Sequence, residues 1–138
     1  MVGIEGRTLA EQLNVRADVK ISTRAELVHE LAVVPAEFYA VIGELSAARR
    51  ALNQAKRDLR IYEGESDLKS RRQLTIGNWA PSDKQVDRAI QATVRWRELD
   101  ERFSSAQEYT KSLEDLRELL LIKKEMLQSI GGQLRGDE

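Results

Sequence analysis

The chain of 138 residues has no cysteine, one histidine, two prolines and 5% aromatic residues. The absence of cysteine excludes disulfide scaffolds, thiolate zinc sites and cysteine nucleophiles. Uninterrupted apolar runs reach only five residues at Phe38–Ile42 and four at Leu119–Ile122, whereas a membrane-spanning helix needs about 20. No apolar segment of a secretory signal follows Met1. We therefore expect a cytoplasmic protein without a membrane partner, and the length predicts one domain over 1–138.

Charge is present in quantity, but neither sign dominates. The chain has 22 Lys plus Arg and 23 Asp plus Glu, so its formal net charge is −1. The two signs are unevenly placed. Residues 49–97 carry 12 basic and 6 acidic side chains, whereas the segments on either side are acidic. A basic middle between acidic ends is the feature that a functional hypothesis has to explain.

The apolar pattern predicts a first helical arm over 23–64. Thr23 and Glu26 have the spacing of a capping box, and Pro35 is expected to kink this arm or to start a new helix. Gly64 is expected to end it. Two stripes at seven-residue spacing form a coiled-coil seam. Its members are Phe38, Leu45, Leu52, Leu59, Val41, Ala48, Ala55 and Tyr62.

A polar connector over 65–81 and a long second helix over 82–134 complete the predicted architecture. Ser82 and Gln85 form a second capping box, and no Gly or Pro interrupts the chain before Gly131. The fold class is therefore all-α, an elongated antiparallel helical hairpin. Short accessory N-terminal helices precede it, such as one at Thr8–Leu13, and residues 1–7 are expected to be flexible.

The two predicted arms differ in length, which predicts self-association through the C-terminal helix. With the hairpin corner between residues 64 and 82, Pro35 would lie beside residue 111, and the apolar segment that follows would extend beyond the first arm. An apolar surface of that size is rare on a monomer. The predicted oligomerisation residues are Leu113, Leu116, Leu120, Leu127 and Ile130, within a contact segment that reaches Leu134.

Motifs for catalysis are scarce. The sequence has no Walker loop, dinucleotide-binding turn, nucleophile elbow or metalloprotease His pair. Glu26 and His29 have the Glu-x-x-His spacing of helical di-iron sites, but such a site needs a second copy of the motif. Acidic groups such as Glu114, Asp115 and Glu118 alternate with Arg and Lys, which is typical of a solvated helix face. We expect no enzyme activity, no metal and no cofactor.

The basic middle is the stronger functional signal, because a hairpin would gather its cations at one end of the molecule. Nucleic-acid phosphates favour such a concentration. Trp79 could stack on the bases of a single strand or pack the end of the hairpin, whereas Tyr62 falls on the seam. The predicted nucleic-acid-binding residues are Lys56, Arg57, Arg60, Lys69, Arg71, Arg72, Trp79 and Lys84.

Several short motifs resemble the UvsY family, the recombination mediators of tailed phages. Asp18-Val19-Lys20-Ile21 is similar to that family's opening segment, and Lys56-x-x-Leu59-x-x-Tyr62-x-Gly64 to the end of its first long helix. Asp83-Lys84 and an apolar end with Lys123-Lys124 follow in the same order. Lys56 matches a family DNA-contact position, whereas Asp58 stands where the family has a second basic residue.

The resemblance implies a ring-shaped homo-oligomer that binds single-stranded DNA for recombination and repair. Its partners would be a RecA-like recombinase, which it helps to load, and the single-strand binding protein that covers the DNA. Two alternatives stay open from the residues alone. One is a prefoldin-like helical-hairpin chaperone, and the other is a phage structural or adaptor protein with no nucleic-acid role.

Overall fold

A computed structural model describes residues 23–136, and within them the chain is all-helical apart from one isolated bridge. Helix α1 spans Arg24–Leu74, α2 spans Asp83–Gln91 and α3 spans Val94–Gly136. The all-α class and a pair of long helices are therefore confirmed. The complete hairpin and the oligomer stay predictions, and residues 1–22 lie outside the described part, including the helix expected at Thr8–Leu13.

Helix α1 begins as the sequence predicts but ends later. The Thr23 hydroxyl accepts a hydrogen bond from the Glu26 amide at 3.2 Å, which caps the first turn. The helix then continues through Pro35 and Gly64 to Leu74. The predicted end at Gly64 and the connector at 65–81 were wrong. A glycine in a helix costs about 1 kcal/mol, which the helix-forming residues around it offset.

The predicted single helix over 82–134 is instead two helices. Ser82 caps α2 with the expected box, since its hydroxyl accepts from the Gln85 amide at 3.2 Å and the Gln85 side chain accepts from the Ser82 amide at 2.8 Å. The break falls at Thr93, whose Oγ1 donates to the Ile90 carbonyl at 2.7 Å and accepts from the Trp96 amide at 3.2 Å. A threonine cap ends one helix and starts the next without Gly or Pro.

The chain divides into two compact units. The single domain predicted over 1–138 stays a prediction. The first contains the described parts of Met1–Ala48 and Tyr109–Glu138, and the second is Arg49–Glu108. In the first unit α1 and α3 pack antiparallel. Leu27 and Val34 contact Leu127, and further along α1 Leu45 contacts Leu113. Both heptad stripes contribute to this seam, as predicted.

The pairing in the first unit overturns the predicted register. Val34, next to Pro35, packs on Leu127 and not beside residue 111, because α1 runs past Gly64 and its antiparallel partner residues shift toward the C-terminus. The premise of an uncovered apolar segment was therefore wrong. The proposed oligomerisation residues Leu113, Leu116, Leu120 and Leu127 are buried in this chain, and Ile130 packs beside them. The side chain of Leu134 lies outside the described part.

The same core contains a buried charged cluster. The Lys123 ammonium lies 2.9 Å from a Glu30 carboxylate oxygen and 3.9 Å from one of Glu37. Lys123 and Glu37 are both almost fully buried. Each carboxylate stands one heptad from the other on α1, so a single lysine of α3 meets both. The cluster lies within an otherwise apolar seam.

Candidate nucleic-acid interface

The sequence-predicted cations all belong to the second unit. Arg49–Glu108 contains 13 basic and 10 acidic residues, whereas the rest of the chain has 9 basic and 13 acidic ones. The uneven charge found in the sequence therefore coincides with a structural division. The unit is held together by an apolar core that includes Leu59, Val86, Ile90 and Leu99.

Five cations of the second unit share one side of α1. Residues spaced by seven and four lie on the same helical stripe, which aligns Arg49, Lys56 and Arg60. Arg50 and Arg57 form a neighbouring stripe at the same seven-residue spacing. All five side chains are exposed. We call these five residues the basic face.

Few acidic residues of α1 lie beside the basic face. Asp58 is the one acidic residue among positions 49–62, and exposed Glu63 follows on the stripe of Lys56 and Arg60. The Asp58 carboxylate accepts a hydrogen bond from the Gln54 side-chain amide at 2.8 Å. Asp58 is two residues from both Lys56 and Arg60, which at 100° per residue places it about 160° around the helix from their stripe. The departure from the family pattern at this position leaves the basic face intact.

The length of the basic face suits a nucleic-acid strand. At 1.5 Å per residue, positions 49–60 extend along about 16 Å of helix. Exposed cations repeated over that distance can neutralise several phosphates at once, and each neutralised phosphate releases condensed counterions. The arrangement can therefore bind a polyanion by charge without reading its sequence.

The predicted site residues nearer the turn have different surroundings. Lys69, Arg71 and Arg72 lie in the last turns of α1 and not in a connector, and Lys84 lies in the first turn of α2. Lys69, Arg72 and Lys84 are exposed. These four residues are thus part of helices, and Lys56, Arg57 and Arg60 are the predicted residues that share the basic face.

Arg71 has a structural role at the end of α1. Its guanidinium lies 2.9 Å from the Asp67 carboxylate and 2.6 Å from the Asp83 carboxylate. Hydrogen bonds to these two carboxylates raise the pKa of Arg71 further above its ordinary value. The arginine therefore ties the last turn of α1 to the first turn of α2, and two carboxylates share its charge. In the sequence, the four-residue spacing of Asp67 and Arg71 indicates the first of these two ion pairs.

The turn between α1 and α2 exposes two large apolar side chains. Ile76 and Trp79 form a reciprocal backbone pair with N–O distances of 3.1 and 2.9 Å, and Gly77 between them has φ +58°. This left-handed conformation favours glycine. The turn leaves Ile76 76% exposed and Trp79 51% exposed. Trp79 is therefore accessible for stacking, and exposed Ile76 is a feature that the sequence reasoning missed.

Tyr62 is a packing residue, as its seam position indicates. Its hydroxyl donates to Thr93 Oγ1 at 2.8 Å, which connects α1 to the junction of α2 and α3. Thr93 therefore contacts three helices through one oxygen. The helix break at Thr93 is a second feature that the sequence reasoning missed. A threonine three residues before Trp96 has the spacing of a helix cap and is the signal that could have indicated it.

The described residues contain no group of three or more His, Asp or Glu side chains placed to hold a metal ion. Glu26 and His29, which have the di-iron spacing, are both exposed on α1. On α3 the exposed Glu98 carboxylate lies 3.4 Å from the Arg95 guanidinium, in keeping with a solvated helix face.

Comparison with known proteins identified no relative of this chain. No protein-family model matches the chain, and no curated protein or solved structure matches it. The resemblance to the UvsY family therefore rests on the quoted motifs.

Proposed function

We propose that the chain is a non-enzymatic protein that binds single-stranded DNA and acts as a recombination mediator in the bacterial cytoplasm. The observation that carries the proposal is the basic face, five exposed cations on one side of α1. Exposed Trp79 in the same unit favours a single strand, because unstacked bases can lie on an aromatic ring for about 1–3 kcal/mol each. The binding step rests on these residues of the second unit.

The mediator step rests on the family resemblance. In that role the protein holds a strand covered by single-strand binding protein while a RecA-like recombinase replaces the covering protein. Contacts that are weak in one subunit add up across a homo-oligomer through avidity. A mediator needs a strand contact that is strong enough to hold and weak enough to release, and charge contacts at physiological salt have that character.

Binding of fluorescent single-stranded and double-stranded oligonucleotides across a salt series tests the proposal. The variant Lys56→Gln, Arg57→Gln, Arg60→Gln is compared with Arg88→Gln, Arg97→Gln, Arg102→Gln, which removes the same charge from exposed positions of the same unit. We expect the first variant to lose at least tenfold in affinity. Its salt slope should fall by about 2, since each single-strand phosphate contact contributes about 0.7. The control variant should bind nearly as the wild type does.

Two results would contradict the binding proposal. One is the absence of single-strand binding at low salt, and the other is an equal loss in the two triple variants, which would indicate charge without a defined face.

Trp79→Ala should weaken single-strand binding more than duplex binding. For the mediator step, addition of the protein should speed assembly of a RecA-like recombinase on covered single strands, and the basic-face variant should not.

A second candidate function, a prefoldin-like chaperone, is favoured by the exposed turn. Such a chaperone needs apolar side chains near a helix end, and Ile76 and Trp79 supply them here. Ile76→Ser with Trp79→Ser should then abolish suppression of aggregation of an unfolded client protein. If aggregation is not suppressed by the wild type, the chaperone candidate is excluded.

A further inference from the structure

The first unit exposes an uncharged side of α1 that the nucleic-acid proposal does not use. Between residues 31 and 43 the one charged residue is Glu37, and its side chain is buried beside Lys123. Leu31, Tyr39 and Ile42 on the other side of the helix are exposed by 44%, 76% and 37%. We call Leu31, Pro35, Tyr39 and Ile42 the outer face.

The hydropathy of α1 reflects this outer face. The helix has an 18-residue window with mean hydropathy 1.4, and only 28% of that window is buried. By length and composition alone α1 could cross a membrane, as could the core helices of many soluble proteins. Here most of the window is not in a core. Contiguous exposed apolar patches are typical of interaction sites, which makes the outer face a candidate for one.

A groove lies beside the outer face. It has a volume of about 360 Å³ and is mainly apolar. Leu31, Pro35, Phe38 and Tyr39 of α1 form one wall, and Leu121 and Lys124 of α3 belong to the other. Exposed Ala32 and Ala36 lie seven and three residues before Tyr39, on the same side of α1, so a second helix can approach α1 closely there.

We propose that the outer face of α1 docks against the same face of a second copy of this chain, with the two α1 helices antiparallel across a two-fold axis near Ala36. In such an interface the same patch occurs on both subunits, and residue i meets j while j meets i. The protruding Tyr39 and the groove beside Leu31 and Pro35 are about one helical turn apart. Each Tyr39 can therefore enter the groove of the partner.

Charge disfavours a membrane surface or a nucleic acid as the occupant of the outer face. A helix that lies on a membrane surface is rich in Lys and Arg on its polar side. The first part of α1, residues 24–48, has Arg24 as its one Lys or Arg and contains four glutamates. Anionic lipids and nucleic acid are both disfavoured by that balance, whereas a second uncharged face is not.

The available area is that of a small specific interface. An aromatic side chain buries about 150–250 Å², so Tyr39 contributes about 150 Å² at its observed exposure. Full burial of an aliphatic side chain is worth about 1.5–3 kcal/mol, which at about 25 cal/mol per Å² corresponds to about 60–120 Å². A half-exposed aliphatic side chain therefore contributes about 50 Å². With Leu31, Pro35, Ile42, Leu121 and the small residues, the sum is about 500 Å² per copy. Doubled, it reaches the roughly 1,000 Å² expected of a biological interface.

The test measures the mass of the full chain by light scattering and sedimentation over a concentration series. We expect the wild type to reach at least twice the chain mass of 15.7 kDa. Leu31→Glu with Tyr39→Glu should raise the dissociation constant at least tenfold. The matched control is Ile122→Glu with Met126→Glu, which charges two exposed apolar residues on another part of the same unit and should leave the mass unchanged. Circular dichroism checks that both variants stay helical.

Cysteine cross-linking tests the geometry separately, because the chain has no native cysteine. Ala36→Cys should form a disulfide-linked dimer under mild oxidation, since residues near a two-fold axis approach their own copies. Ile122→Cys should not form one. If the Leu31 and Tyr39 variant is misfolded, this cross-link still decides the proposal.

A monomeric wild type, a dimer that survives the outer-face substitutions, or a dimer lost in the control variant would each overturn the proposal. Co-sedimentation with anionic vesicles that depends on Tyr39 while the chain stays monomeric would assign the face to a membrane instead. The proposal does not rest on DNA binding, since the tested residues lie in the first unit. Outer-face variants that lose the dimer should keep single-site oligonucleotide binding.

Discussion

Tyr109 shows how one side chain can make stability depend on pH. Its hydroxyl donates to a Glu44 carboxylate oxygen at 2.7 Å. Burial, and then the hydrogen bond to this carboxylate, raise the pKa of Tyr109 to about 12. The folded chain therefore favours the neutral phenol. The stabilisation is complete below the ordinary tyrosine pKa of about 10 and is lost as the pH rises to about 12.

We expect the free energy of unfolding of the wild type to fall between pH 10 and about pH 12. Tyr109→Phe should lack this part of the fall, because no phenol has to ionise. Denaturant titration at several alkaline pH values measures the difference. Tyr62→Phe is the matched control, since it removes another half-buried hydroxyl that donates to a side chain, and it should retain the fall. Equal alkaline profiles for the wild type and Tyr109→Phe would contradict the assignment.

Substitution of Lys123 tests how much the buried charged cluster of the first unit contributes to the free energy of unfolding. Lys123→Met removes the ammonium beside Glu30 and Glu37, and loss of one member of a buried ion pair costs about 3–5 kcal/mol. We expect the free energy of unfolding at neutral pH to fall by about 3 kcal/mol. Lys124→Met, at an exposed neighbouring position, should change it by less than about 0.5 kcal/mol.

A combined variant separates charge from packing in this cluster. If the cost of Lys123→Met comes from uncompensated carboxylates, adding Glu30→Gln and Glu37→Gln should recover part of it. No recovery would indicate that the lysine stem contributes mainly through its packing.

At the scale of the element, two glycines have opposite roles. Gly64 lies inside α1, and an added Cβ there has no atom within 4 Å. Gly77 lies in the turn with φ +58°, where side chains are strained. Gly64→Ala should therefore stabilise the fold by about 0.5–1 kcal/mol. Gly77→Ala should destabilise it by about 1–2 kcal/mol.

Thermal and denaturant unfolding of the two alanine variants measures this contrast. Because the substitution is the same, each glycine is the control for the other. Destabilisation by Gly64→Ala would mean that the helix ends at Gly64, as the sequence first indicates. A neutral Gly77→Ala would mean that the turn does not need the left-handed conformation.

At the scale of the whole molecule, two surfaces belong to two units. The basic face lies in Arg49–Glu108, and the outer face lies in the first unit. Amide hydrogen exchange should distinguish them in one protein. Oligonucleotide should slow exchange around residues 49–60, whereas a higher protein concentration should slow exchange around residues 31–43. Protection of 31–43 by oligonucleotide in a dilute, monomeric sample would contradict the separation.

Much of the fold could be predicted from the sequence, because heptad spacing and capping residues act locally. Leu45 and Leu59 were placed on the seam and are buried, and the Ser82 cap was identified with its partner. The basic segment was also visible from the charge count alone. Helix ends were predicted less well. A glycine ends a helix only where the neighbouring residues do not favour helix, and α1 continues through Gly64 to Leu74.

The sequence by itself determined the helical class, the seam residues and the position of the basic segment, since periodicity and composition are properties of neighbouring residues. The tertiary structure decided the register, and with it the fate of Leu113, Leu120 and Leu127. An extension of α1 to Leu74 moves every antiparallel partner along α3. That shift covers the C-terminal leucines within the chain and leaves the uncharged side of α1 exposed, which no local pattern could establish.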